Sequence, residues 1–167
     1  MSATGNPTVG IVMGSASDWP VMSQAARILG EFGVPYDAKV LSAHRNPEGL
    51  TEWLSSMLAG GMQVVIAGAG GAAHLPGVCA SKVPVPVLGV PMMTDATSGL
   101  DSLLSIAQMP KGVPVGTLAI GKAGAINAGL LAVQILALSD EALMATWTQY
   151  RADQRKTPSD VPPMPGT

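Results

Sequence analysis

Along this chain, short apolar runs alternate with segments whose apolar positions recur at helical spacing. Residues 8–13 are apolar or β-branched and stop at Gly14, which predicts a first strand. Asp18-Trp19-Pro20 then opens a helix that runs to about Phe32, with the proline tolerated in its first turn. Residues 35–41 predict a second strand. Asn46-Pro47 supplies an N-cap and a first-turn proline for a helix that ends at Gly60-Gly61. Further strands are predicted over 63–67, 85–90 and 113–120, with a short helix over 73–82 interrupted at Pro76. Ser98-Gly99-Leu100-Asp101 has the spacing of a capping box, with Asp in the Glu place, ahead of a helix to about Met109. Residues 123–138 read as a helix that is apolar almost all round, and 140–156 as a last amphipathic helix.

Five short apolar strands alternating with helices imply an α/β fold whose parallel sheet is covered on both faces. The arrangement expected is a flavodoxin-like three-layer sandwich with strand order 2-1-3-4-5 and an extra C-terminal helix. No internal repeat or linker divides the chain, so residues 1–156 are expected to form one domain. Residues 157–167 hold four prolines and are expected to be an extended tail.

Charge changes the picture. The chain has 167 residues, 47% of them apolar and only 12% charged, against roughly 25% in ordinary soluble domains. That balance excludes disorder, and a net charge of −2 gives no electrostatic case for nucleic acid or anionic lipid. The deficit is concentrated between Val83 and Ser139, where the charged residues are Asp95, Asp101, Lys111 and Lys122. Such a surface needs cover from a membrane or from other subunits. A spanning helix needs about 20 mostly apolar residues, and residues 116–138 are broken by Lys122, Asn127, Gln134 and a glycine-containing loop. The 123–138 helix lacks the polar stripe of an outer helix, so either it is a tightly packed core helix or other copies of the chain bury it. Burial in a homo-oligomer is the favoured expectation. The N-terminus shows no secretory signal and Cys79 is the single cysteine, so a cytoplasmic location without disulfides or thiolate clusters is expected.

Candidate chemistry falls in the loops that should leave the carboxyl ends of the strands, where open parallel sheets bind ligands. After the first strand comes Gly14-Ser15-Ala16-Ser17-Asp18, with two hydroxyls and a helix N-terminus that favours anions. After the second comes Ser42-Ala43-His44-Arg45, and after the third Gly70-Gly71-Ala72-Ala73-His74-Leu75. Taken singly, Ser15, Ser17 and Asp18 read as helix caps, Arg45 as solvated surface, and either histidine as a hydrogen-bond partner for a carbonyl. Together, hydroxyls, a carboxylate, an arginine and an imidazole on one edge suit a phosphorylated sugar and acid–base chemistry.

Other motifs carry less. Gly68-Ala-Gly70-Gly-Ala-Ala73 matches a dinucleotide fingerprint, but Pro76 breaks the helix it should open and no acidic residue follows until Asp95. Gly116 to Ala123 nearly spells a phosphate loop, yet Ala123 lacks the hydroxyl that would hold Mg²⁺. Two histidines without a third nearby ligand make no metal site, so no metal is expected. No G-x-S-x-G elbow is present, and Cys79 falls within an apolar helix, so no covalent nucleophile is expected.

At these loops the sequence resembles the N5-carboxyaminoimidazole ribonucleotide mutase family of purine biosynthesis. The resemblance spans roughly 9–150. It rests on Val-Met-Gly-Ser-x-Ser-Asp-Trp from Val12, Ser-Ala-His-Arg from Ser42, Ala-Gly-Ala-Gly-Gly-Ala-Ala-His-Leu-Pro-Gly from Ala67, Pro-Val-Leu-Gly-Val-Pro from Pro86, and Gly-Thr-Leu-Ala-Ile-Gly-Lys-Ala-Gly-Ala from Gly116. It implies a flavodoxin-like subunit of a homo-octamer that moves a carboxyl group on a small ribonucleotide, with no cofactor. It also implies that Ser15, Asp18 and Arg45 hold the 5′-phosphate and ribose, with Ser17 and Ser42 nearby. By the same resemblance His44 carries protons, while Gly70, Gly71, Ala72, His74 and Leu75 enclose the carboxyl group. A carboxylase using free CO₂, and a non-catalytic nucleotide-binding oligomer on the same fold, are the rival readings.

Overall fold

The structure is a computed structural model that describes residues 6–155. The expected tail, 157–167, lies outside the described residues. Five parallel strands run β1 (Val9–Met13), β2 (Tyr36–Val40), β3 (Val64–Ala69), β4 (Val87–Pro91) and β5 (Gly116–Thr117), in the spatial order β2-β1-β3-β4-β5. This is the flavodoxin-like α/β order. The helices are α1 (Trp19–Glu31), α2 (Pro47–Ala59), α3 (Leu75–Lys82), α4 (Leu100–Ala107), α5 (Lys122–Ala137) and α6 (Glu141–Gln154).

Side chains alternate across a strand, so each central strand feeds two cores. Val9, Ile11 and Met13 of β1 join Val64 and Ile66 of β3 on the face covered by α1 and α5. Val12, Val65, Ala67 and Ala69 face the other way, against Leu50 and Leu54 of α2, Leu75 and Cys79 of α3, and Ile106 of α4. Burial on both faces is why β1 and β3 read as continuous apolar runs. The helices bury single stripes. α1 buries Met22, Ala25, Ala26, Ile28 and Leu29, and α2 buries Leu50, Leu54 and Met57. Each fully buried Leu or Ile contributes about 1.5–3 kcal/mol relative to exposure.

Four local expectations need correction. β5 pairs over two residues instead of eight, because it is an edge strand and Pro110 and Pro114 offer no N–H to a ladder. Pro76 starts α3 within its first turn instead of interrupting it. Ser98 does not cap α4: the chain enters that helix through Ser98 at φ 53° and Gly99 at φ 83°, and the Gly99 N-cap makes no side-chain bond. The Thr97 hydroxyl instead accepts from the Asp101 N–H at 3.0 Å. In α6 no residue is fully buried; Leu143 and Trp147 only partly pack on the core.

Helix α5 is partly buried by its own chain. Gly124, Ala125, Ala128, Gly129, Ala132, Val133, Leu136 and Ala137 are all buried. Small residues on this face let α1 approach closely: a Cβ on Gly129 would stand 2.9 Å from Cβ of Ile28. The outer side retains Leu131 and Ile135 half-buried, and Leu138 just past the helix is 81% exposed. No helix among the described residues is long and apolar enough to cross a membrane.

Candidate active site

Register brings the strand ends together. Met13 pairs with Val40 on one side and with Gly68 on the other, so β1, β2 and β3 finish level. The loops that follow them emerge side by side at the carboxyl edge of the sheet, where α1, α2 and α3 begin. Their exposed amides and aligned dipoles favour an anionic ligand there.

A cavity of about 210 Å³ lies between these loops, lined by Gly14, Ser15, Asp18, Ser42, Ala43, His44, Arg45, Ala69, Gly70, Ala72 and Leu75. It gathers residues from all three loops. Three residues of the expected set are not part of its lining: Ser17 and His74, which are exposed, and Gly71, which is half-buried. Ser17 donates its hydroxyl to Ser15 Oγ at 2.7 Å, and its backbone N–H reaches the same oxygen at 3.3 Å. Ser15 therefore both caps the 3-10 turn Ala16–Asp18 and faces the cavity. Asp18 makes no side-chain cap bond to α1, which leaves its carboxylate to the cavity.

Arg45 ties two loops together. Its guanidinium donates to the Gly14 carbonyl at 2.7 Å, and its backbone N–H reaches Ser42 Oγ at 3.3 Å. Asn46 holds the start of α2 by accepting from the Gly49 N–H at 3.0 Å. His44 is thereby set on a short, doubly anchored loop. Its Nε2 lies 2.9 Å from Nδ1 of His74, and the two rings meet edge to face. His74 is positioned by a tight turn in which the Ala73 N–H donates to Gly71 and the His74 N–H to Ala72, both at 2.8 Å.

Burial raises the Asp18 pKa above its ordinary value, against a smaller opposing hydrogen bond from the Ser15 backbone. Partial burial makes the charged form of this carboxylate costlier than it would be in water. Cys79 is the stronger case. It is fully buried in α3, and burial pushes its thiol up to about 12, so no thiolate nucleophile forms near neutral pH. Among the described residues no group of three or more His, Cys, Asp or Glu is placed to hold a metal ion.

The sequence reading missed the support behind the glycine loop. The Gly71 N–H donates to Ser102 Oγ at 2.9 Å across 31 residues of chain. No local spacing signals such a contact.

Residues 8–157 match the family described as AIR carboxylase. The chain is 57% identical over 155 residues to the N5-carboxyaminoimidazole ribonucleotide mutase of Vibrio cholerae, covering 93% of this chain and 96% of that one. To the protein of the same name in Bacillus subtilis it is 55% identical over 151 residues, covering 90% and 93%. The crystal structure of Treponema denticola PurE superposes with a TM-score of 0.81 at 28% identity, over 88% of this chain and 90% of that one. By family, length and fold together, this chain belongs to the AIR carboxylase family.

Proposed function

We propose that this chain is an N5-carboxyaminoimidazole ribonucleotide mutase, which moves a carboxyl group from the exocyclic nitrogen of aminoimidazole ribonucleotide to ring carbon C4. The observation that carries the reading is that His44 lines the same cavity as Ser15, Asp18 and Arg45. An acid–base group thus stands beside groups suited to a phosphorylated sugar. Arg45, Ser15 and the N-terminus of α1 take the 5′-phosphate, and Asp18 accepts from ribose hydroxyls. Ser42 supports the Arg45 loop, Ser17 supports Ser15, and the wall of Gly70, Ala72 and Leu75, backed by Gly71 and His74, encloses the carboxyl group.

The chemistry needs one proton carrier. His44 delivers a proton to the carbamate nitrogen; the N–C bond breaks, its electron pair stays on nitrogen, and CO₂ departs. C4 then attacks the CO₂ held beside it, becoming an sp³ carbon that carries both hydrogen and carboxylate. His44 takes the C4 proton, the ring regains aromaticity, and the imidazole ends as it began. An ordinary imidazole can both donate and accept near neutral pH. While the bond to His74 is made, Nδ1 of His44 is the nitrogen that exchanges protons with a ligand. Keeping CO₂ against its acceptor exploits proximity, where effective molarities of about 10⁵ M or more are attainable. Because the substrate brings its own carboxyl group, the reaction is an isomerisation with no net redox change, and ATP, metal and organic cofactor have no step to supply.

The reading extends to a homo-octamer working in the cytoplasm. Its test is turnover of N5-carboxyaminoimidazole ribonucleotide by the purified protein without ATP, followed by product absorbance. A second arm supplies aminoimidazole ribonucleotide with bicarbonate, because the family's description names a carboxylase. Product in the first arm alone supports the mutase. Product in the second arm alone replaces it with a CO₂-using carboxylase, and binding without product in either arm leaves a nucleotide-binding protein.

A further inference from the structure

Ser102 is the one polar side chain that is fully buried among the described residues. It sits in the first turn of α4, outside the cavity, and its hydroxyl accepts from the Gly71 N–H at 2.9 Å. The same hydroxyl is 3.3 Å from Oδ1 of Asp101, to which it donates. A serine has one proton to give. With that proton turned to Asp101, a lone pair is left facing Gly71.

Asp101 is held in turn. Its Oδ1 accepts from the Thr94 hydroxyl and from the Ser102 N–H, both at 2.8 Å, while its own N–H donates to Thr97 Oγ1 at 3.0 Å. Thr94 Oγ1 also accepts from the Gly99 N–H at 3.2 Å. The hydroxyls of Thr94, Thr97 and Ser102 thus gather around Asp101, and the Ser102 hydroxyl carries that network to the Gly71 peptide.

That peptide has little support of its own. Gly71 is left-handed at φ 66°, and its carbonyl is occupied by the Ala73 N–H at 2.8 Å. Gly70 packs on the same layer, since a Cβ placed on it would meet Met92 Cβ at 3.1 Å and lie 3.8 Å from Ser102 Oγ. The two neighbours of Gly71, Gly70 and Ala72, both line the cavity, and the turn leads directly to His74 and so to His44. Without the Ser102 hydroxyl the part-buried Gly71 N–H loses its partner, and an unsatisfied donor drives a loop to rearrange toward water.

We propose that Ser102, oriented by Asp101, is a positioning residue that locks the Gly70–Gly71 peptide and thereby holds the carboxyl-enclosing wall and His74 in working geometry. The role attached to that wall rests on the mutase reading above; the lock itself is independent of it. A misplacement of about 1 Å costs roughly a hundredfold in rate, so the lock acts on kcat more than on substrate affinity.

The experiment compares the full-length protein with Ser102→Ala, Ser102→Cys and Asp101→Asn. Two readouts are taken: kcat and KM with N5-carboxyaminoimidazole ribonucleotide, and hydrogen exchange of peptides covering 69–74 and β3. The expected result for Ser102→Ala is a kcat lower by about ten- to a hundredfold with KM within about threefold. Exchange should be at least about tenfold faster in 69–74 and unchanged over 64–67. Ser102→Cys, which keeps a weak acceptor, should recover part of both, and Asp101→Asn should shift both in the same direction as Ser102→Ala. Wild-type kcat and wild-type exchange in Ser102→Ala would overturn the proposal. So would equal acceleration across 69–74 and β3, which marks general loosening. If Ser102→Ala does not fold, Ser102→Cys and Asp101→Asn decide the question on the same readouts. If the wild-type protein shows no turnover, the mutase reading fails alone, and the exchange readout still decides the lock.

Discussion

Nε2 of His44 and Nδ1 of His74 stand 2.9 Å apart, with ring planes at 89° and centroids 5.0 Å apart. A bond of that length needs one proton between the two nitrogens. One ring donates and the other accepts, which fixes the tautomers relative to each other. His74 therefore fixes both the orientation of His44 and the nitrogen it can use. Replacing the proton carrier, His44→Asn, is expected to lower kcat by about 10³-fold or more, with ribonucleotide affinity within a few-fold of wild type. His74→Ala leaves the carrier but loses its orientation, and should cost about 10- to 100-fold. Steady-state kinetics with calorimetric binding separates the two. Near-normal turnover by His44→Asn would end the assigned role.

Asp18 and Asp101 pull the pH dependence of stability in opposite directions. Burial raises the Asp18 pKa, so the folded protein binds that proton more readily than the unfolded chain. Its contribution to stability falls as pH rises from the ordinary value of 3.8 through the raised value. At neutral pH the charged carboxylate is a cost, borne for the ligand. Asp18→Asn is expected to melt at the same temperature or higher at pH 7, while its KM rises about tenfold or more. Hydrogen bonds from Thr97, then Thr94, with support from Ser102, lower the Asp101 pKa, so its contribution is present above 3.8 and lost as pH falls through the lowered value. Asp101→Asn should therefore melt lower at pH 7, by a margin that closes below pH 4. Melting curves for both variants between pH 3 and 8 test the signs; a lower melting temperature for Asp18→Asn at pH 7 contradicts the first.

The parts of the molecule that were legible in the sequence are those where local pattern and tertiary demand agree. β1 and β3 lie between partners on both sides and helices on both faces, so their residues 9–13 and 64–69 are all buried and apolar. The loops after β1, β2 and β3 are short, and residues near them in sequence stay near them in space. Agreement ends where a contact is non-local or a segment lies at an edge. β5 is too exposed for its apolar content to produce a ladder. Asp101 sits three residues after Ser98, a spacing that fits a capping box; the left-handed pair Ser98 and Gly99 removes that option, and the carboxylate serves Thr94 and Ser102 instead. Ser17, Gly71 and His74 are not among the residues that line the cavity, but each bonds a neighbour at it or beside it: Ser15, Ser102 and His44.

Gly124 marks the tightest backbone approach among the described glycines. A Cβ on it would lie 1.6 Å from the Ala119 carbonyl oxygen and 2.7 Å from its carbon. Backbone cannot move aside as a side chain does. Gly124→Ala must displace either the first turn of α5 or the segment following β5, and is expected to cost about 3 kcal/mol or more, at the upper end for overpacking. Gly68→Ala is the control. Its Cβ would meet the flexible Met22 Sδ at 2.5 Å and Met92 Cε at 2.7 Å, which can shift, so about 1–2 kcal/mol is expected. Urea titration of the two variants reads the difference. A Gly124→Ala protein as stable as Gly68→Ala would show that the approach is looser than described.

The scarcity of charge between Val83 and Ser139 has a structural counterpart. Within that segment Met93 is 65% exposed, Leu100 52%, Leu104 49% and Leu138 81%, after α5 has buried half its residues against its own chain. Leu100 and Leu104 lie one turn apart on α4, so they present a common apolar face. Covering the exposed half of each leucine is worth about 1 kcal/mol. The proposed octamer would place such faces against other copies of the chain, and light scattering of the wild-type protein should then report that mass across micromolar concentrations. Introducing charge into the face, with Leu100→Glu and Leu104→Glu together, costs a monomer far less than it costs a dry contact, where the carboxylates would be buried unpaired. The double variant is expected to run as a smaller species with an unchanged far-ultraviolet circular dichroism spectrum. A wild-type protein that scatters as a monomer removes the assembly from the proposal, and a double variant that still scatters as the octamer places the contact elsewhere on the subunit.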